Sequence, residues 1–282
     1  MSTSETLIDL VKRHYSPIAD LGSHILESLT VAGIDISRLT IEDLSFIDEF
    51  HNRGRDGTMD LARAIGLDAS KHVLDIGSGI GGPSRFIAQI YGCRVTGIDL
   101  VDEYCQVATM LADRVGLSDL VGYCQGDALN LPFPDASFDV VWSQHTAMNV
   151  FDKAAFYREA ARVLKYGGIL AINDVLSGPV GHPYFPLPWA ITAESGFLIE
   201  PAELHSLLRS NRLSIVEWED KTDSANAWSK SAGRQGRQAG SPRLGIEVLL
   251  GPEGISMARN MKRSIEENRV VIVQVVAAKT MR

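Results

Sequence analysis

Cysteine is scarce. The 282 residues hold three, Cys93, Cys105 and Cys124. Their odd number excludes a fully paired disulfide framework, and their spacing is too wide for a zinc knuckle, so reduced thiols in a reducing compartment are expected. Long apolar runs are missing as well. No stretch approaches the roughly 20 apolar residues that a bilayer span needs, and the opening MSTSETLIDLVKRHYSP has neither an apolar core nor a small-residue cleavage site. Positive charge is in deficit: 27 Lys and Arg stand against 35 Asp and Glu, a net charge of -8. That balance opposes an extended phosphate-binding surface, because nucleic-acid affinity comes from clustered Lys and Arg releasing counterions. The seven histidines, His14, His24, His51, His72, His145, His182 and His205, show no ligand spacing, so no metal is expected. What remains is an ordinary globular composition, 45% hydrophobic and 22% charged. It suits one large domain or a domain plus a cap, in a soluble cytoplasmic protein with no nucleic-acid or membrane partner.

Between Lys71 and about Val175 the pattern alternates. The short apolar runs HVLDI (72–76), RVTGIDL (94–100), FDVVW (138–142) and GILAIND (168–174) are separated by segments of helical period, which predicts a parallel sheet with crossover helices. One helix is predicted from Pro83 to Gly92, a second from about Asp102 to Val115 with Gly116 as its stop, and a third from an Asp152 N-cap to Gly167-Gly168. A fourth starts at Glu200-Pro201. Two further strands are read in LSIVEWED (213–220) and VVIVQVVAAK (270–279). The divider between them contains SAGRQGRQAGSP (231–242), whose composition predicts a mobile surface segment, and then a helix around 252–268. Residues 1–68 read as helical and as a cap, and 69–282 as the main domain.

The sharpest feature is VLDIGSGIGGPSRF, a strand, a glycine loop and a helix in succession. Gly77, Gly79 and Gly82 satisfy G-x-G-x-x-G with Ser78 between the first two. Asp99, followed by Leu100, ends the next strand about twenty residues on, where a carboxylate reaches ribose hydroxyls. Two nucleoside cofactors compete for such a loop, and Asp75 separates them. A dinucleotide would bring its pyrophosphate to the helix N-terminus, where a carboxylate in a partly desolvated cleft repels it. Asp75 therefore argues for a cationic guest. S-adenosylmethionine fits, having an ammonium, a ribose diol, an adenine amine and no phosphate. Asp75 would face the methionyl part, Asp99 the diol, and Asp127, with Ala128 beside it, the adenine.

At this point the sequence resembles the class I S-adenosylmethionine-dependent methyltransferases. The likeness is to the small-molecule group that includes ubiquinone/menaquinone-type, tocopherol, phosphoethanolamine and sarcosine/dimethylglycine enzymes. The residues that carry it are VLDIGSGIGGPSRF, VTGIDL, GDALNLPFPDASFDVVWSQHTAMN and REAARVLKYGGILAIND, together about 71–175. The resemblance implies a Rossmann-like α/β fold, seven strands, mostly parallel with an antiparallel last strand, plus a helical N-terminal cap. It also implies transfer of a methyl group to an O, N or C nucleophile of a small molecule, with S-adenosylhomocysteine as product. DEFHNRGRDGT (48–58) is similar to a segment that lies over the methionine end of the cofactor in such enzymes, which places His51, Arg53 and Gly54 near it. An N-terminal tyrosine closes over the site in the phosphoethanolamine enzymes, and Tyr15 is the matching candidate here.

Methyl transfer is an in-line displacement that asks for alignment, exclusion of water and, for a protonated nucleophile, a base. SQHTAMNVFD places Gln144, His145, Met148 and Asn149 where the chain leaves the carboxyl edge of the sheet. His145 is the candidate base or orienting group, Gln144 lies beside the cofactor, and Met148 and Asn149 face the acceptor. Tyr184, Phe185 and Trp189, in SGPVGHPYFPLPWA (177–190), are candidates for an apolar acceptor pocket to which 177–200 and 221–268 contribute. Arg234, Arg237 and Arg243 form a local basic cluster suited to an acidic acceptor. The cap and the long divider offer surfaces for a homodimer. Two other functions are consistent with parts of the pattern. One is a member of the same fold that keeps the cofactor without methylating, as a cyclase, isomerase or binding module; the other is an NAD-dependent oxidoreductase. Thermal-shift titration distinguishes the cofactors: S-adenosylhomocysteine should raise the melting temperature and NAD should not, and the reverse result would favour the oxidoreductase.

Overall fold

Four helices come first in the computed structural model, which describes residues 3–235 and 244–281: α1 (Thr3–His14), α2 (Leu21–Val31), α3 (Ile41–Asp48) and α4 (Gly54–Ile65). Local chemistry sets their ends. The Asp20 carboxylate accepts from Ser23 N–H at the start of α2, Thr40 and Asp43 form a capping box at the start of α3, and Gly66 ends α4 in the left-handed region. Then strands and helices alternate: β1 (His72–Ile76), α5 (Gly82–Tyr91), β2 (Arg94–Asp99), α6 (Asp102–Arg114), β3 (Val121–Gln125), β4 (Phe138–Gln144), α7 (Lys153–Val163) and β5 (Leu164–Ser177). The remainder is α8 (Pro201–Ser210), β6 (Leu213–Asp220), α9 (Thr222–Gln235), α10 (Glu247–Leu250), α11 (Gly254–Glu266) and β7 (Val270–Lys279).

The strands form one sheet in the order β3-β2-β1-β4-β5-β7-β6. All neighbours pair in parallel up to β5, and β7 runs antiparallel to both β5 and β6, as the resemblance implied. The order reverses beside β1, whose partners are β2 and β4. In open parallel sheets the crevice at the carboxyl end of such a reversal is where ligands bind.

Alternation along the strands divides the core between two faces. Val73, Val95, Val140 and Trp142 pack with Leu61 and Ile87 on one side. Leu74, Ile76, Val141 and Leu170 pack with Phe156 and Leu208 on the other. Asp75 sits opposite Trp142 in the register, on the face covered by α4 and α5. The N-terminal helices build a further core: Leu21, Ile25 and Leu29 of α2 and Leu44 and Ile47 of α3 pack against Tyr104, Val107 and Leu111 of α6 and against Leu249 and Leu250.

Three local expectations change. α7 starts on its Asp152 N-cap as expected but ends at Val163, and Gly167 and Gly168 lie inside β5. Lys279 Nζ and the opening of β5 beside Phe138 take up Leu164 there. The edge strand β3 has one buried residue at its start and partly or fully exposed ones after it, which is why it makes no apolar run. The segment expected to be mobile begins inside α9, which runs to Gln235; 236–243, and with them Arg237 and Arg243, lie outside the described residues, and so does the side chain of Arg234.

A buried ion pair joins the two halves of this architecture. Arg85 Nη2 on α5 donates to Asp48 Oδ2 at the end of α3 at 2.7 Å, and its Nη1 donates to the carbonyls of Ile80 and Ala108. Both side chains are withdrawn from water. Removing one partner strands the other charge in a low-dielectric site, so Arg85→Met should cost about 3–5 kcal/mol. The double change Asp48→Asn, Arg85→Met should recover much of that loss, as measured by denaturant unfolding.

Candidate functional site

The loop after β1 is shaped by three left-handed glycines, Gly77, Gly79 and Gly81. The N–H groups of Gly77 and Ser78 both donate to the Ile98 carbonyl at the end of β2, and Thr146 Oγ1 donates to the Ile76 carbonyl. The glycines have different jobs. A Cβ on Gly77 would collide with Thr146, and one on Gly82 would collide with the Asp48 backbone, so these two allow close packing of the protein on itself. Nothing among the described residues lies within 4 Å of the Cβ position at Gly79. Its backbone faces open space.

Three carboxylates follow three successive strands. Asp75 is the penultimate residue of β1 and is 2% exposed; Ser84 Oγ donates to its Oδ2 at 2.6 Å. Burial pushes its pKa up to about 7, against the pull of the Ser84 bond, with Asp99 adding to the rise. Asp99 ends β2 and is itself raised by burial. Its two oxygens accept from Gly79 N–H and Val101 N–H, each at 2.9 Å. Asp127 lies beyond β3 and accepts from Leu129 N–H at 2.9 Å.

β4 delivers the next group. His145 stands in the left-handed region at φ 53°, donates its N–H to the Asn173 carbonyl and receives Asn52 N–H on Nε2 at 3.4 Å. Burial, reinforced by His51, holds its pKa well below the ordinary histidine value, so the imidazole is neutral. Met148 and Asn149 follow on a short 3₁₀ turn, Ala147–Asn149, which is held from two sides. Lys153 Nζ donates to the carbonyls of Ala147, Val150 and Phe197, and Asp174 Oδ2 accepts from Ala147 N–H. Asn149 Oδ1 accepts from the Tyr15 hydroxyl at 3.1 Å, joining the end of the first helix to this turn.

A chain of buried hydrogen bonds holds residues 48–58 against the sheet. Trp142 Nε1 donates to Gln144 Oε1 at 3.1 Å, Gln144 Nε2 pairs with His51 Nδ1 at 2.9 Å, and His51 Nε2 pairs with Glu49 Oε2 at 2.8 Å. Thr58 Oγ1 also donates to Glu49. Every member is buried, and each bonds to the next, while Glu49 Oε1 is left without a hydrogen-bond partner among the described residues.

These groups line one cavity of about 750 Å³. Asp75, Gly77, Ser78, Gly79, Asp99, Leu100, Asp127, Ala128, Gln144, His145, Tyr15, Met148, Asn149 and Trp189 are all on its wall. Arg53, Tyr184 and Phe185 are not. Arg53 is committed to Asp60 at 2.7 Å. Tyr184 lies between Arg263 and Arg269, with its hydroxyl on Glu267. Phe185 packs beside Gly196 and Ala190. Gln144 is on the wall, but both ends of its amide serve the buried relay. The pattern also did not single out Glu49 and Thr58, the Tyr104 hydroxyl, which is buried without a hydrogen-bond partner among the described residues, or the apolar wall formed by Leu7, Ile8 and Val11 with Leu249, Met261 and Ile265. The helical spacing in LIDLVKRHY carries that wall, since residues 7, 8, 11 and 15 share one face of α1.

Residues 74–172 match a family model described as a methyltransferase domain. Among curated relatives, a sterol 24-C-methyltransferase of Gibberella zeae is 39% identical over 116 residues, which is 41% of this chain and 30% of that protein. The methyltransferase GfsG of Streptomyces halstedii is 30% identical over 171 residues, 61% of each chain. The chain therefore spans less than two thirds of the length of either. Among solved structures, a geranyl diphosphate C-methyltransferase from Streptomyces coelicolor A3(2) superposes over 99% of this chain and 100% of its own, with a TM-score of 0.71 and 17% identity.

Because the native state raises the Asp75 pKa to about 7, the folded chain holds a proton that the unfolded chain releases between about pH 4 and 7. Stability of the ligand-free protein should therefore fall as pH rises through that window, with the cost complete above it. Asp75→Asn should flatten this fall and melt higher than the parent at pH 8 but not at pH 4 in thermal scans.

Proposed function

Starting from a chain that carries a class I S-adenosylmethionine-dependent methyltransferase domain, we propose that it transfers a methyl group from S-adenosylmethionine to a predominantly apolar small molecule. The observation that carries this reading is a single cavity that combines the carboxylates after β1, β2 and β3 with a wall of aliphatic and aromatic side chains.

The residues present fit the cofactor. A buried carboxylate whose pKa is raised by desolvation gains most from a cation beside it, and Asp75 is such a group. Asp75 takes the ammonium. Asp99 is held by two backbone N–H groups and keeps lone pairs for ribose hydroxyls, and Tyr104 brings a buried hydroxyl with no hydrogen-bond partner among the described residues. Asp127 and Ala128 stand at the adenine end. The bare backbone at Gly79 allows close approach. A pyrophosphate would meet Asp75 instead, which disfavours NAD.

When bound, S-adenosylmethionine supplies a methyl group made electrophilic by the sulfonium. The chain's own part is to position and to keep water out. α1 to α4 act as a lid: Leu7, Ile8, Val11 and Tyr15 cover the cavity, and the Tyr15 to Asn149 bond latches α1 to the turn after β4. Segments 177–200 and 221–268 contribute Trp189, Phe197, Leu249 and Met261 to the acceptor side. Neutral His145 accepts the acceptor's proton or orients its nucleophile. The reading includes a cytoplasmic location, which the three free thiols support; among the described residues no helix is long and apolar enough to cross a membrane.

Incubation with methyl-labelled S-adenosylmethionine and a panel of hydroxyl-bearing apolar acceptors tests the reading by organic-phase label. His145→Asn, which tolerates the left-handed backbone, should lower transfer about a hundredfold while leaving S-adenosylhomocysteine affinity unchanged. Full transfer by the variant removes His145 from the chemistry, and cofactor binding with no transfer to any acceptor favours occupancy without methylation.

A further inference from the structure

Helix α1 has two wet faces. Leu7, Ile8, Val11 and Tyr15 line the cavity, while Leu10, Arg13 and His14 line a separate groove of about 1150 Å³ on the other side. The partition is one helix thick, and His14 Nε2–H donates across it to the carbonyl of Pro188 at 2.8 Å, a residue of the cavity wall. Leu250 and Ile255 line both spaces. The groove gathers large apolar side chains that water reaches: Leu10 at 37% exposed, Val31 at 65%, Ile191 at 46% and Ile255 at 55%. Singly such residues are ordinary, but their convergence in one concave surface marks a binding site.

Size supplies the second argument. A site for one drug-sized ligand runs to about 300–1,000 Å³. The cavity, at about 750 Å³, has to take a nucleoside cofactor and the reacting end of an acceptor together, so little room is left for the rest of a large acceptor. Resting on the function proposed above, we infer that the acceptor site continues past Leu250 and Ile255 into the groove, which holds the distal part of a long, uncharged apolar molecule. The groove's charged residues, Arg13 against Glu194, Glu247 and Glu253, are mostly acidic and so oppose an anionic tail.

Binding of 4-alkylphenols, from ethyl to dodecyl, to the protein saturated with S-adenosylhomocysteine tests this by calorimetry. In the parent, affinity should keep rising with chain length by about threefold to fourfold per buried methylene. Leu10→Glu with Ile191→Glu, both at exposed positions, should leave S-adenosylhomocysteine and ethylphenol binding intact and abolish the gain for the longest chains. Leu250→Trp, at the threshold, should end the rise at a shorter chain. Equal dodecylphenol affinity in parent and variants overturns the inference. So does self-association of the parent that the double change abolishes, which would assign the groove to a second copy of the chain. Failure of methyl transfer leaves the chain-length series readable, so the two readings fail separately.

Discussion

The constraint on which the rest depends is a carboxylate kept out of water at the end of β1. Asp75 is nearly inaccessible, its carboxylate accepts from the Ser84 hydroxyl, and its pKa sits far above the ordinary carboxylate range. A fold optimised only for stability would not leave an acid there, since desolvation of the charge opposes folding at neutral pH. The cost is tolerable where a cationic ligand offsets it. The Ser84 hydroxyl holds the group in place without neutralising it.

Burying that acid also organises what lies around it. Residues 48–58 lie directly on the loop, so close that Gly82 can carry no side chain. The segment is itself rich in charge, and it is held by Arg85 on Asp48 and by the relay from Trp142 through Gln144 and His51 to Glu49. The Arg85 to Asp48 and Gln144 to His51 bonds cross between elements, while Asp48 Oδ1, Glu49 Oε1 and Arg85 Nε stay buried without a hydrogen-bond partner among the described residues. The bonds that are made tie the N-terminal helices to the sheet at the cavity rim.

The acceptor side follows a different rule. Its wall is mostly aliphatic and comes from α1, α10, α11 and the segment before α8, which are far apart in sequence. The polar groups that remain, Tyr15 on Asn149 and the neutral His145, are positioned through backbone contacts and through the Lys153 and Asp174 clamp on the 3₁₀ turn. Selectivity in such a site comes from shape, with a few fixed polar atoms setting orientation.

Period and punctuation in the sequence were enough for the parallel core. Apolar runs of strand length, glycines past helix ends and Asp152 at an N-cap are local signals, and local sterics and hydrogen bonding enforce them. The three acids were legible too, because a residue at a strand's carboxyl end has its position set by the strand itself. β3 was harder, since an edge strand buries too little to leave an apolar pattern. The fates of Arg53, Tyr184, Phe185 and Gln144 were decided only by the tertiary structure. Each is polar or aromatic in a segment expected near the site, but its direction depends on partners that period and spacing do not specify: Asp60 for Arg53 and Ala190 with Gly196 for Phe185 within the same stretch of chain, the Arg263 and Arg269 pair for Tyr184 and His51 for Gln144 far along it. Side-chain direction is set by such packing and hydrogen-bond contacts, near or far along the chain, and a one-dimensional pattern carries no record of them.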